Sequence, residues 1–283
     1  MQINMIRSDK VYQEMLELPL EKREGCFRAK ILAPFATKYQ TQHIPLKAKY
    51  PGGFDALFLL GFMNLLPATL SGKDRPAIDA LSSDQLWQDC QDTIKRSIGL
   101  FEQAGYDLDV EDYHFTILLG NPEKPMLQLN KGYSGDGGIP GYLMLSLLPN
   151  DYTLPRVQAA LAHECNHNVR FQFVKWNQQT TLADWVVSEG LAESFAAELY
   201  GKDLIGSWVT STSPEQLEEI KPIISSQLQL TGMAEMAPYL YGDEIAKIQG
   251  QIPVGMPYAA GYAYGYHLIQ AYLKKTGKSI IEA

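Results

Sequence analysis

The stretch LAHECNHNV, which begins at Leu161, contains the pattern His-Glu-x-x-His. On an α-helix, His163 and His167 lie one turn apart and Glu164 lies on the same face. Two imidazoles at this spacing can bind one tetrahedral zinc ion, with the carboxylate beside the open position of the metal. Pro155 suits the first turn of such a helix. The pattern also occurs by chance, so a third ligand from elsewhere in the chain is the test.

A glutamate on a second helix meets this requirement. The segment Thr181–Gly201 has helical periodicity and a glycine stop. Glu189 follows His167 after a gap of 21 residues, enough to end one helix, turn and bring a second alongside. Two histidines and one glutamate leave a fourth position for water, as in catalytic zinc sites. Glu193, one turn further, is predicted to accept the free N–H of a ligating histidine. A solvated helix face is the alternative for both glutamates, and the small residues around them disfavour it.

The composition limits the class of partner. The chain has 283 residues, a formal net charge of −8 and a pI near 5.2. Nucleic acid and anionic membranes are bound through basic surfaces, so neither is an expected partner. Three cysteines far apart in sequence suit a reducing cytoplasm better than a disulfide framework.

No membrane anchor or signal peptide is expected from the sequence. The N-terminal residues are charged and lack an apolar core of signal-peptide length. The most apolar stretch, Phe54–Leu66, is shorter than the ~20 residues of a membrane span and is interpreted as a buried core helix. We therefore expect a cytoplasmic protein.

The first part of the chain is predicted to be helical. Apolar positions recur at helical spacing, with breaks near Pro19 and Pro34. A clearer helix is predicted within Ser82–Gly105, which has a serine start and a glycine stop. The predicted organisation is a helical N-terminal region over residues 1–105 and a catalytic region over residues 106–283.

A small sheet is predicted directly before the His-Glu helix. Residues 113–120 and the segment YLMLSLLPN, residues 142–150, have the composition of strands. The glycine-rich residues 130–141 between them are predicted to form a mobile loop beside the cleft. The strands are too few for alternating βαβ units, so the expected fold class is α+β and mainly helical.

The motifs resemble those of a known group of zinc peptidases. HExxH followed by W-x-x-x-EG-x-A-E is similar to the gluzincins, of which thermolysin is an example. The segments LAHECNHNVR, SEGLAESFAAELYG and GYAYGYHLIQAYLKKTG resemble the YjaZ-type family of bacterial predicted zinc-dependent proteases. This resemblance implies a zincin-like fold, with His163, His167 and Glu189 as ligands. It also implies Glu164 as general base and Glu193 as the support of a ligand.

The last predicted helix supplies candidate groups for stabilising an oxyanion. In MPYAAGYAYGYHLIQAYL, Tyr258 lies in a Pro-Tyr-x-x-Gly pattern similar to that of gluzincin aminopeptidases, where the tyrosine donates to the tetrahedral intermediate. Tyr262, one turn later, is the second candidate, because phenol donors are common in such sites. A core aromatic stripe is the alternative. Gly261 and Gly265 are expected to let this helix press against a neighbour. His267 is interpreted as a packing or surface residue.

Two further expectations concern the surroundings of the predicted helix that carries His163 and His167, called the metal helix below. In zincin folds the strand at the position of YLMLSLLP is the edge of the sheet, and an extended peptide pairs with it. Cys165 falls on the side of the helix away from His167, so a zinc-ligand role is not expected.

The sequence therefore predicts a zinc-dependent metallopeptidase that acts on a peptide or protein. Zn²⁺ would activate water, and Glu164 would take its proton. One alternative is a zinc-binding regulatory protein with little turnover, which retention of Glu164 disfavours. Another is a zinc hydrolase of a non-peptide amide. The lack of a Gly-x-Met-x-Asn amine-binding motif favours an endopeptidase over an aminopeptidase.

Overall fold

A computed structural model describes residues 1–283. The four strands are β1 (Gln2–Met5), β2 (Asp112–Leu119), β3 (Tyr133–Ile139) and β4 (Tyr142–Leu147). The helices are α1 (Ser8–Glu17), α2 (Leu20–Phe27), α3 (Ala36–Thr41), α4 (Ala56–Leu60), α5 (Arg75–Leu81), α6 (Asp84–Gln103), α7 (Pro125–Leu129), α8 (Val157–Phe173), α9 (Leu182–Tyr200), α10 (Ser207–Thr210), α11 (Pro214–Ser225), α12 (Met233–Tyr241), α13 (Asp243–Ile248) and α14 (Ala260–Thr276). The protein is mainly helical α+β, as the sequence predicts.

The strands form one mixed sheet in the order β1-β2-β4-β3. The pairs β1·β2 and β2·β4 are parallel, and β3 is antiparallel to β4. The expectation that YLMLSLLP is the edge strand is therefore wrong, because β4 lies inside the sheet. The glycine-rich segment expected to be a mobile loop instead forms β3 and occupies that edge.

The two faces of the sheet are covered by different parts of the chain. Gln172 of α8 donates to the hydroxyl of Tyr113, and Trp87 of α6 packs on Phe115. The even-numbered side chains of β2 and β4 point the other way, as strand alternation requires. Phe35, just before α3, packs against His114 on that face. The metal helix α8 and α6 therefore lie on one face, and the segment that leads into α3 lies on the other.

The predicted helices of the N-terminal region are present, with Pro19 at the start of α2. Ser83 caps α6 through a hydrogen bond from the backbone N–H of Leu86. The strand β1 was not predicted, because a four-residue strand has too short an apolar pattern to recognise. One core cluster extends from Val11 to Ile280. The predicted boundary near residue 105 stays a prediction.

The interpretation of Phe54–Leu66 as a buried core helix is wrong. Only Ala56–Leu60 is helical, and Phe54, Phe58 and Phe62 are each about half exposed. Their rings pack on one another in sequence along the surface. The three rings therefore form an exposed row on the surface and not part of the core. None of the helices combines the length and apolar content needed to cross a membrane.

The helices α9 and α14 cross at two glycines. A Cβ on Gly190 would lie 2.2 Å from the carbonyl oxygen of Gly265, and one on Gly265 would lie 2.2 Å from that of Val186. Backbone on both sides leaves no room for a methyl group. The expectation that Gly265 permits close helix packing is confirmed, and this crossing fixes α9 in place.

Candidate metal centre

The helices α8 and α9 bring three potential ligands together. The Nε2 atoms of His163 and His167 are 3.0 Å apart, and each lies 3.2 Å from Oε2 of Glu189. All three residues are buried. The structure thus joins the three residues that the sequence predicts as ligands into one candidate metal site of zincin-like arrangement.

The outward nitrogens of both imidazoles are held by neighbouring side chains. Glu193 accepts a hydrogen bond at 2.7 Å from Nδ1 of His163, as predicted for the support of a ligand. Ser188 Oγ lies 3.2 Å from Nδ1 of His167. Trp208 Nε1 donates to the same Glu193 oxygen at 2.7 Å. With Nδ1 engaged, Nε2 of each ring faces the other two candidate ligands and would offer its lone pair to a metal.

Electrostatics at the centre favour a positive charge. Burial lowers the pKa of His163, but hydrogen bonds to Glu189 and Glu193 outweigh it and raise this pKa well above its usual value. Burial raises the pKa of Glu189, yet the charges and hydrogen bonds of the two histidines bring it down to about 2. A buried carboxylate that stays ionised needs a cationic partner. The histidines fill this role here, and a metal ion bound between the three side chains would replace their protons.

The donor set fits zinc. Bond lengths of about 2.0–2.1 Å at tetrahedral angles place ligand atoms about 3.3 Å from one another, close to the observed separations of 3.0 to 3.2 Å. The outward nitrogens are engaged, as zinc-binding histidines require. The site therefore offers three candidate protein ligands.

Glu164 lies beside the centre and is not part of the ligand cluster. It is 7% exposed and borders a cavity of about 410 Å³. Burial raises the pKa of Glu164 to about 6, although the neighbouring histidines oppose the rise. A carboxylate with this pKa is a better proton acceptor than an ordinary glutamate.

The edge strand β3 passes directly over Glu164. A Cβ on Gly135 would lie 2.1 Å from Oε1 of Glu164, and one on Gly137 would lie 2.2 Å from its carbonyl oxygen. Glycine is required at position 137 because backbone meets backbone there, and a larger residue at position 135 would displace the carboxylate of Glu164. Glycine is depleted in strands, which is why the composition of this segment indicates a loop.

Asn168, which the sequence analysis did not single out, fastens this strand to the metal helix. Its Nδ2 lies within 3.0 Å of the carbonyl oxygens of Gly137, Ile139 and Tyr142. Its Oδ1 accepts from the backbone N–H of Gly141 at 2.7 Å. The one sequence feature that could have indicated this role is the position of Asn168, directly after the His-Glu-x-x-His pattern.

We expect Asn168→Ala to lower the free energy of unfolding by about 3 kcal/mol or more, because each buried polar group left unpaired costs about 1–3 kcal/mol. Urea unfolding followed by circular dichroism measures it. Asn166→Ala is the matched control, since Asn166 is buried on the same helix and its Oδ1 has no hydrogen-bond partner. Equal losses in both variants would contradict the role given to Asn168.

The structure places both candidate tyrosines on the wall of the Glu164 cavity. The hydroxyl of Tyr258 donates to Oδ1 of Asn130. Burial, followed by the charge of Glu189, raises the pKa of Tyr262 well above its usual value. Tyr241 of α12 lines the same cavity and was missed, because its chain position gives no hint of this contact. The catalytic roles of Tyr258 and Tyr262 stay predictions.

Two other sequence expectations concern residues outside the centre. His267 is exposed on α14, as a surface histidine should be. Cys165 is fully buried and directed towards Ser97 of α6, away from the ligand cluster. Neither belongs to the group of three residues that can hold a metal.

The chain is similar to a small set of bacterial proteins. A family model described as "Predicted Zn-dependent protease (DUF2268)" matches residues 86–283. The uncharacterized protein YjfC of Bacillus subtilis (strain 168) is 34% identical over 284 residues, covering 100% of this chain and 94% of YjfC. The uncharacterized protein YjaZ of the same organism is 28% identical over 134 residues, covering 46% of this chain and 47% of YjaZ. No solved structure matches.

Proposed function

Because the chain belongs to the DUF2268 family of predicted zinc-dependent proteases, we propose that it is a zinc metallopeptidase. His163, His167 and Glu189 would hold the metal, and Glu164 would act as general base. The observation that carries the proposal is the buried cluster of His163, His167 and Glu189, with a second acidic side chain, Glu164, beside it on a cavity wall. A purely structural zinc site uses a closed set of four ligands.

In this mechanism zinc bound at the centre supplies Lewis acidity that activates water and polarises the scissile carbonyl. Glu164 takes the proton of the attacking water and then gives it to the leaving amine. Burial raises the pKa of Glu164, which makes its carboxylate a better proton acceptor than an exposed glutamate. The surrounding burial keeps bulk water away from the transferred proton.

The tyrosine hydroxyls on the cavity wall are proposed as donors to the developing oxyanion. Tyr258 and Tyr262 both remain protonated at neutral pH, since burial raises the pKa of each. A protonated phenol can donate one hydrogen bond, so Tyr258 would have to exchange its bond to Asn130 for one to the oxyanion. Preorganised donors of this kind stabilise the charge that appears in the transition state.

The free edge of β3 is proposed to bind the peptide backbone. The N–H of Leu148 donates to the carbonyl of Gly132, and that of Gly120 donates to the carbonyl of Leu147. In an antiparallel ladder this alternation directs the N–H and C=O of Gly135 away from β4. An extended peptide can therefore add to the sheet directly beside Glu164.

Three free cysteines, two of them buried, fit the proposed cytoplasmic location.

The test of the proposed function combines metal analysis of the purified protein with cleavage of a peptide library. We expect about one zinc per chain, and hydrolysis that stops on chelation and returns with added zinc. Full zinc occupancy without hydrolysis of any peptide would favour the regulatory alternative. Cleavage of non-peptide amides alone would favour the alternative of a zinc hydrolase that acts on a non-peptide amide.

A further inference from the structure

A second cavity lies on the other face of the sheet from the metal helix. Its volume is about 600 Å³. The N-terminal region supplies one wall, which includes Tyr39, Leu60 and Phe62, and the sheet supplies another, which includes Met144 and Ser146. The residues of the N-terminal wall all precede residue 86, where the match to the family model begins.

This second cavity joins the cavity of Glu164 at the edge strand. Ser134 and Gly135 of β3 line both cavities, and so do Met63 and Met126. The two cavities are therefore neighbours across β3, whose edge is the proposed site of the peptide backbone. Neighbouring residues of an extended peptide direct their side chains to opposite faces of a sheet. A peptide on this edge that presents one residue to Glu164 presents the next to the second cavity.

The walls of the second cavity are mostly apolar and carry no unbalanced charge. Lys38, which is 1% exposed, forms an ion pair of 2.7 Å with Asp136 of β3. This pair is the cavity's only pair of charged side chains, so neither an acidic nor a basic side chain gains a free partner there. Phe62 and Ile248 at the rim are each about half exposed. Exposed apolar groups at the mouth of an apolar pocket mark a binding site.

We propose that the second cavity is the specificity pocket of the peptidase and takes a large apolar side chain next to the scissile bond. The N-terminal region then determines substrate choice, while the region matched by the family carries the chemistry. The inference rests on the proposed function, since it assigns a subsite of the same cleft. It also predicts that a peptide with a large apolar residue binds more tightly than one with alanine at the same position.

The test uses the zinc-loaded protein and short capped peptides in which one position varies among Gly, Ala, Leu, Met and Phe. Mass spectrometry gives the cleavage sites, and kcat/KM is measured for each peptide. We expect sites with a large apolar residue at one fixed position beside the cleaved bond. The preference over Ala should be about tenfold to a hundredfold, the range that added methylene groups give in an apolar pocket.

Two substitutions alter the pocket without touching the metal centre. Ser146→Leu fills it from the sheet and should reduce the preference for Leu over Ala to near unity. Phe62→Ser removes one side of the mouth and should weaken the preference several-fold. The matched control is Phe58→Ser, because Phe58 packs on Phe62, has similar exposure and lines neither cavity. Thermal unfolding shows whether each variant folds. If Ser146→Leu does not fold, the test rests on Phe62→Ser and its control.

Cleavage without an apolar preference, or an unchanged preference in both pocket variants, would overturn the inference and leave the proposed function intact. If no peptide is cleaved, the proposed function fails, and fluorescence anisotropy of the labelled Leu and Ala peptides tests the pocket by itself. Tighter binding of the Leu peptide that Ser146→Leu or Phe62→Ser abolishes supports the pocket. Equal binding of both peptides refutes it.

Discussion

Replacing Glu164 by Gln is expected to leave zinc content unchanged and to reduce peptide hydrolysis by ~10²-fold to 10⁴-fold, the contribution of a general base. The amide keeps the shape of the side chain and its fit beneath β3, but it cannot accept the proton of the attacking water. Zinc should stay because Glu164 is not one of the three clustered ligands. Turnover and metal content are measured on the same sample.

Glu198→Gln is the matched control for this change. Glu198 is exposed on α9 and lines neither of the two cavities. The control should keep full activity and full zinc. Full activity in the zinc-loaded Glu164→Gln protein would mean that another group is the base, and the mechanism proposed here would fail.

Glu189→Ala is expected to remove zinc from the isolated protein and to abolish hydrolysis. The remaining two histidines leave an incomplete site, since catalytic zinc is held by three protein ligands. Zinc should also no longer raise the thermal unfolding temperature, because that stabilisation depends on binding to the native state. Inductively coupled plasma emission spectroscopy measures the bound zinc. Calorimetry with and without added zinc measures the change in unfolding temperature.

Glu193→Gln provides the comparison. Glu193 accepts hydrogen bonds from His163 and Trp208 and holds the imidazole in place. Loss of such a support costs about 10-fold to 100-fold in metal affinity, so zinc should bind weakly and return at higher zinc concentration. Loss of zinc in Glu193→Gln with full occupancy in Glu189→Ala would reverse the two assignments.

The candidate ligand set could be predicted from the sequence because helix geometry is local. His163 and His167 are four residues apart on α8, and Glu189 and Glu193 are four residues apart on α9. Residues at this spacing share a helix face. A helix and a turn then suffice to bring the second pair to the first. The glycine stop at Gly201 and the serine cap of α6 are local signals of the same kind.

The surroundings of the centre depend on contacts between distant parts of the chain. The edge strand β3 passes so close to Glu164 that position 137 has no room for a side chain and position 135 has little. Composition alone indicates a loop there, since glycine lowers strand propensity. Trp208 reaches Glu193 from a short helix whose own pattern gives no sign of that bond. The second cavity forms where Phe62 meets the far face of the sheet. Such contacts join residues without any fixed spacing, so only the packed chain brings them together.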